Sequence, residues 1–269
     1  MVILDRSLHE RPWGRRDLPD VYDAEGRMIG EVWHQHPDAP LPVLVKSLFT
    51  SEHLSVQVHP DDASARRAGL PRGKEEWWLV TAAAPDATLG VGLRAPVTAE
   101  ALRAAAIDGS IIDFMEWFPV NEGDFFHIPP GTVHAIGPGV DIVEVQQNAD
   151  VTYRLYDYGR GRELHLDAGM AVAQPLPHPP ELHGNLAKGG VDGEGPRLLT
   201  RCPHFSVWYV DASSLGAFPS GAFQLVPLAG NAALADSAIR PGIVAWGDPA
   251  DVGQASEDFA CLVIDAVEP

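Results

Sequence analysis

The chain is poor in cysteine and in lysine. Its two cysteines, Cys202 and Cys261, stand far apart among 269 residues. That is too few for a disulfide framework, and free thiols in a reducing cytoplasm are the simplest reading. Lysine occurs only at Lys46, Lys74 and Lys188, and 19 basic residues face 37 acidic ones. The formal charge of −18 excludes a general nucleic-acid-binding or anionic-membrane surface. No apolar run approaches the roughly 18 residues of a spanning helix. The amino terminus lacks a charged-then-apolar signal pattern, so a cytoplasmic location and no membrane partner are expected.

A hydrophobic content of 45% and 24 prolines describe a turn-rich globular chain with an ample core. The first 40 residues read as short strands and loops, with RPWG at Arg11–Gly14 and GEVW at Gly30–Trp33 as turn-plus-aromatic pieces. LPVLVKSLF, LSVQVHP and EEWWLV follow as buried strands, rich in β-branched and aromatic residues and bounded by Pro, Gly and Asp. Thr98 is placed to cap a short helix, and Ile111–Trp117 reads as another. Strands are expected at Gly123–Pro129, Asp141–Gln147 and Thr152–Asp157. From Gln174 to Pro196 the composition turns to Pro, Gly and His. After Arg197 it alternates again, in FSVWYVDA and FACLVIDA. The expected division is a metal-binding catalytic unit over 1–173, a linker or surface loop over 174–196, and a smaller metal-free β unit over 197–269. That last unit would cover an apolar face of the first. The fold class is all-β dominated: a cupin-type jelly-roll β-barrel with short helices and a second, degenerate barrel-like unit.

Strand parity carries the chemistry. Residues two apart share a face, so Ser55, Gln57 and His59 form one row and Lys74, Glu76 and Trp78 another. His134 follows a Pro-Pro-Gly-Thr turn that can aim it inward. Two imidazoles, a carboxylate and an amide oxygen can thus converge on one ion. Nitrogen and oxygen donors without thiolate suit zinc, and also fit manganese, iron or cobalt. Lys46 and Lys74 lie in apolar strand-like stretches, where an unpaired ammonium is costly, and are therefore read as functional.

Gly123, Pro129 and His134 have the spacing of the second cupin motif, while the usual His-x-His of the first is replaced by Gln57-Val58-His59. With RPWG, LPVLVKSLF, LSVQVHPDD, GKEEWW, GDFFHIPPGTVHAIG, EVQQNADVTYRLYDYGR and LHLD in order over roughly residues 10–170, the chain resembles class I mannose-6-phosphate isomerase in its short bacterial form. The resemblance implies interconversion of mannose 6-phosphate and fructose 6-phosphate through an enediol. It implies one zinc per chain on Gln57, His59, Glu76 and His134. Ser55 and Lys74 match residues lining the sugar-phosphate site, and Lys46 a lysine considered for proton transfer. Glu144 and Arg154 match an acid and an arginine at the reacting carbons. Where many relatives resemble Lys-Ala after LHLD, this chain has Ala168-Gly169-Met170, so a phosphate contact from a lysine there is absent or replaced, with Arg160 and Arg162 as the candidates to substitute. Arg154 also suits the chemistry, since an enediolate needs a fixed cation. Ser55, Lys74 and Arg154 are the expected substrate-binding residues, and Arg154, Lys46, Lys74 and Glu144 the expected catalytic ones.

Blander roles are assigned elsewhere. Glu75, of opposite parity to Glu76, is expected to point outward into solvent. His127 is read as a wall residue rather than a ligand, and His34, His36 and His53 as surface or loop residues. Glu144 and Arg154 are also placed to pair with one another. Trp13, Trp33, Trp77, Trp78 and Trp117 are mostly core. The expected partner is a small sugar phosphate, with the chain a monomer or homodimer. A non-catalytic sugar-phosphate-binding cupin is the alternative; a cupin oxygenase would prefer a more His-rich cage.

Overall fold

A computed structural model describes residues 1–187, 195–235 and 237–267. Three antiparallel sheets form its frame. The largest has seven strands in the order His183–Asn185, Asp124–Ile128, Glu76–Ala83, Val140–Gln147, Val43–Phe49, Ile29–Gln35 and Asp5–Arg15. A five-stranded sheet runs Tyr153–Tyr156, Val56–Val58, His134–Ile136, Thr88–Leu93 and Met115–Pro119. These two face one another as in a jelly roll. Among the described residues they remain separate sheets rather than one closed barrel. The third sheet is built mainly after residue 196, in the order Val2–Ile3, Ala245–Gly247, Phe223–Ala229, Ala260–Ala266, Phe205–Asp211 and Arg197–Arg201. The amino-terminal pair Val2–Ile3 thus forms its edge.

The seven-stranded sheet is covered on both faces, which explains why its strands read as near-continuous apolar runs. Val43, Val45, Trp77, Leu79, Val143 and Val145 pack outward against Phe205, Val207, Val226, Leu262 and Ile264 of the third sheet. Leu48, Trp78, Val80 and Ile142 point the other way, against Leu89, Val91 and Ile136 of the five-stranded sheet. The same inward parity carries Lys46, Glu76 and Glu144. Register makes them neighbours, with Glu144 opposite both Lys46 and Trp78, and Gln146 opposite Glu76.

The outer face of the five-stranded sheet is sealed by helices. Val56 and Val58 pack with Leu102, Ala105, Ala106 and Ile111, which leaves Gln57 to face inward. The helix Ala99–Asp108 begins where expected, the Thr98 side chain accepting from the Ala101 N–H. The second expected helix is shorter. It ends at Phe114, and Met115–Pro119 is a strand pairing with Thr88–Leu93. Sheet pairing there outweighs local helical preference.

Candidate metal centre and surrounding cavity

Two backbone hydrogen bonds and a pair of aspartate side chains assemble the centre. Pro60 ends the Val56–Val58 segment, and its carbonyl accepts the Lys74 N–H at 3.0 Å. Asp61 then caps the helix Asp62–Arg67, while Asp62 accepts the Gly73 N–H at 2.8 Å and the Gln147 amide at 3.0 Å. The two aspartates of HPDD thus fix the loop that delivers Lys74 and Glu76. Gly131, at φ +87° in the Pro-Pro-Gly-Thr turn, donates its N–H to the His59 carbonyl at 2.9 Å. That left-handed position favours glycine, and it locks the His134 strand against His59.

His59, Glu76 and His134 each offer a ligand atom within 4.8 Å of the others, and all three are buried. His59 Nε2 is 3.2 Å and His134 Nε2 3.7 Å from the Glu76 carboxylate. His134 Nδ1 donates to the Thr132 carbonyl at 2.9 Å. Since a carbonyl only accepts, the ring's Nε2 keeps its lone pair facing the centre. Gln57 lies opposite His134 in register, its amide 3.2 Å from that Nε2, and Ser55 Oγ donates to Gln57 Oε1 at 3.2 Å.

Electrostatics keep these donors in ligand form. Burial, reinforced by Lys74, pushes His59 down to about 3, and burial also lowers His134. Burial opposes ionisation of Glu76, but Lys74 and His59 outweigh it and hold the carboxyl well below its usual range. Lys74 Nζ is 2.8 Å from Glu76 Oε1, yet among the described residues neither Glu76 oxygen receives an aligned hydrogen bond and His59 Nδ1 finds no partner. A buried carboxylate with open lone pairs beside two neutral imidazoles fits a divalent cation of the zinc class.

Gln57 and Lys74, which touch the centre, also line a cavity of about 500 Å³ together with Ser55, Lys46, Glu144, Arg154, Arg11, Glu31 and Arg162. Arg154 is the cross-strand partner of Gln57 and donates through Nη1 to the Glu163 carbonyl at 2.8 Å. Lys46 Nζ lies 3.2 Å from Glu144, 3.9 Å from Glu31 and 4.7 Å from the Trp33 ring centre. Burial and Glu76 raise the Glu144 carboxyl, against the pull of Lys46 and Lys74. Burial disfavours the charge on Lys74, but Glu76 and Glu144 outweigh it and hold its ammonium above the usual range.

Several placements differ from expectation. Glu144 pairs with Lys46, not Arg154, because the sheet register sets them opposite one another. Glu75 is buried, since the face opposite Glu76 lies beneath the third sheet. His34 is also buried, in contact with Ser47 Oγ at 3.1 Å. Trp33 and Trp117 are only partly buried, whereas Trp13, Trp77 and Trp78 are core. Arg160 does not line the cavity; it is turned to Asp157 and the His53 carbonyl. Arg162 does line it, although Asp157 also holds its guanidinium at 2.7 Å.

Sequence reasoning assigned no role to Glu31 or Arg11. Glu31 accepts from Arg11 Nε at 2.9 Å and from Trp33 Nε1 at 2.7 Å. Burial opposes its charge, but Lys46 and Arg11 outweigh it and bring the carboxyl down to about 2. The signal was in RPWG and GEVW, where a charged residue stands close to a tryptophan.

The chain is similar to proteins of known sequence and to solved structures. Mannose-6-phosphate isomerase of Streptococcus mutans is 31% identical over 258 residues, covering 79% of this chain and 79% of that protein. Mannose-6-phosphate isomerase ManA of Bacillus subtilis is 36% identical over 206 residues, 71% of this chain and 64% of that protein. Probable mannose-6-phosphate isomerase GmuF of the same organism is 34% identical over 209 residues, 72% and 65% respectively. The chain thus spans just under two thirds of both Bacillus proteins. The crystal structure of the Bacillus subtilis mannose 6-phosphate isomerase superposes with a TM-score of 0.71 at 22% identity, covering 98% of each chain. The apo form from Salmonella typhimurium gives 0.69 at 16% identity, again over 98% of each. No protein-family model matches the chain. From its identity to the Streptococcus protein across more than two thirds of both lengths, the chain belongs to the mannose-6-phosphate isomerase family.

Proposed function

We propose that the chain is an aldose–ketose isomerase that interconverts mannose 6-phosphate and fructose 6-phosphate through an enediol. One zinc ion per chain would be held by Gln57, His59, Glu76 and His134. The observation that carries this reading is the buried His59–Glu76–His134 group, joined through Lys74 and Gln57 to a cavity lined by those two residues and by Lys46, Arg154 and Glu144. A zinc ion bound there would supply Lewis-acid polarisation of a sugar oxygen.

The chain's own groups do the rest. Arg154 stabilises negative charge on the reacting oxygens. Glu144, its carboxyl raised by burial and Glu76, is suited to holding and returning the proton that moves between C1 and C2. Lys46, 3.2 Å away, steadies its charged form. Lys74 stays an ammonium and serves as a donor to sugar or phosphate oxygens alongside Ser55. Arg11 and Arg162 join the positive patch that a dianion needs in a protein of net charge −18. The division into units over 1–173 and 197–269, joined by 174–196, belongs to the same proposal. So do a monomeric or dimeric state and a cytoplasmic location, which the free thiols of Cys202 and Cys261 support.

A coupled assay of fructose 6-phosphate formation from mannose 6-phosphate tests the reading. Activity should be lost to chelator and restored by zinc, and His59→Ala or His134→Ala should lose the metal by elemental analysis. Zinc-loaded protein without interconversion, or full metal content in both variants, overturns it.

A further inference from the structure

A second group of donors lies on the opposite face of the seven-stranded sheet, where the third sheet covers it. Glu75, His127 and Cys202 are all buried and place a ligand atom each within 4.8 Å of the others. Glu75 precedes the Glu76 strand, His127 belongs to Asp124–Ile128, and Cys202 follows Arg197–Arg201. The group therefore bridges the jelly roll and the third sheet.

Charge makes it unusual within this molecule. The other buried glutamates, Glu76 and Glu144, meet lysines, as does the half-buried Glu31. Among the described residues, Glu75 has only imidazoles for ion-pair partners. These are His127 Nε2 at 2.8 Å and His204 Nε2 at 3.5 Å. A buried carboxylate without a fixed cation is costly.

The surroundings hold these donors in place. The Glu75 N–H donates to Gln147 Oε1 at 3.0 Å, and the Gln147 amide contacts His204 Nδ1 at 3.2 Å. His204 thereby turns its Nε2 toward Glu75 and acts as a positioning residue. His127 Nδ1 meets the Thr200 hydroxyl at 3.3 Å. That hydroxyl can donate or accept, so the ring can carry its proton on Nδ1 and free Nε2, the pattern of a metal-ligating histidine with an outer partner.

We propose that Glu75, His127 and Cys202 form a second divalent-cation site, of the zinc class, that clamps the third sheet onto the jelly roll. A carboxylate, an imidazole and a thiolate are a zinc-type donor set, and three protein ligands leave a fourth position for water. On binding, the Cys202 S–H ionises and its proton leaves to solvent, while the His127 proton moves from Nε2 to Nδ1.

Sulfur separates this site from the isomerase centre, whose donors are nitrogen and oxygen alone. The test is cobalt substitution of the full chain after chelator treatment. Two cobalt ions per chain and a near-ultraviolet thiolate-to-cobalt charge-transfer band are expected. Cys202→Ser should abolish the band and remove one ion while retaining isomerase activity. Cys261→Ser should keep both, because Cys261 sits in an apolar cluster with Val210, Leu225 and Val263. The wild-type spectrum decides even if Cys202→Ser fails to fold. Absence of the band at saturating cobalt, or its survival in Cys202→Ser, overturns the proposal. Failure of the isomerase reading would show in the activity assay and in the His59 and His134 variants, and would leave the sulfur band unchanged.

Discussion

Glu76→Gln is the sharpest probe of the centre, because it keeps the side chain's shape and removes only its charge. Glu76 is fully buried, with Lys74 Nζ at 2.8 Å and His59 Nε2 at 3.2 Å. At an effective dielectric near 20, a unit pair at that lysine distance attracts by about 6 kcal/mol. Breaking one partner of a buried pair leaves the other uncompensated and costs about 3–5 kcal/mol. Glu144 also helps to hold the Lys74 charge, which favours the lower part of that range. The assay is urea unfolding in chelator, followed by tryptophan fluorescence, since Trp77 and Trp78 are fully buried. With zinc the gap should widen, because wild type then gains about 4 kcal/mol at a thousand-fold excess over Kd and the variant loses a ligand. Acid gives an independent check on sign. The folded-state carboxyl is depressed below its usual 4.5. Its contribution is therefore present above that value and lost as pH falls through the folded pKa. Wild type should lose stability there while Glu76→Gln shows a flatter profile. A metal-free variant within about 1 kcal/mol of wild type would refute the reasoning, since Lys74 would then have no need of Glu76.

Arg154→Ala should keep metal and fold while turnover falls by roughly two to three orders of magnitude, the scale for losing one oxyanion stabiliser; near-normal turnover would make Arg154 structural. Truncation at Gln174 should yield an insoluble or strongly destabilised fragment, because it bares Val43, Val45, Trp77, Val143 and Val145 along one face of the large sheet. A soluble fragment with unchanged melting and activity would show the remainder to be a loosely attached tail.

The inner face of the large sheet was legible because period-2 parity is strict. Once Glu76 is assigned inward, Trp78 follows, and Lys46 and Glu144 follow from their own strands. The Gln57-Val58-His59 row was legible for the same reason. Register across strands was not, because parity says which face a residue takes and nothing about which neighbour it meets. Glu144 therefore could be set against Arg154 on sequence alone, where the ladder sets it against Lys46. The short helix at Ile111 was overextended for a related reason: Met115–Pro119 is held as strand by a partner that is distant in sequence.

The misplacement of Glu75 has a deeper cause. Opposite parity was equated with solvent, which holds for a sheet covered on one side only. Here the sequence already held the contrary sign, since Val43, Val45, Trp77, Val143 and Val145 make the second face as apolar as the first. A strand apolar at both parities has no solvent side, so a polar residue on either face is buried and needs a partner. On that rule the functional parity of Glu76 and the opposite parity of Glu75 call for the same question. The first is answered by Lys74 and the His59–His134 pair. The second is answered by His127, His204 and Cys202, the last two supplied by the turn between Arg197–Arg201 and Phe205–Asp211 of the covering sheet. Covering the sheet thus turns an outward carboxylate into a buried one beside a thiol and imidazoles, which is why cobalt spectroscopy at Cys202 is the measurement that separates a metal clamp from a hydrogen-bonded one.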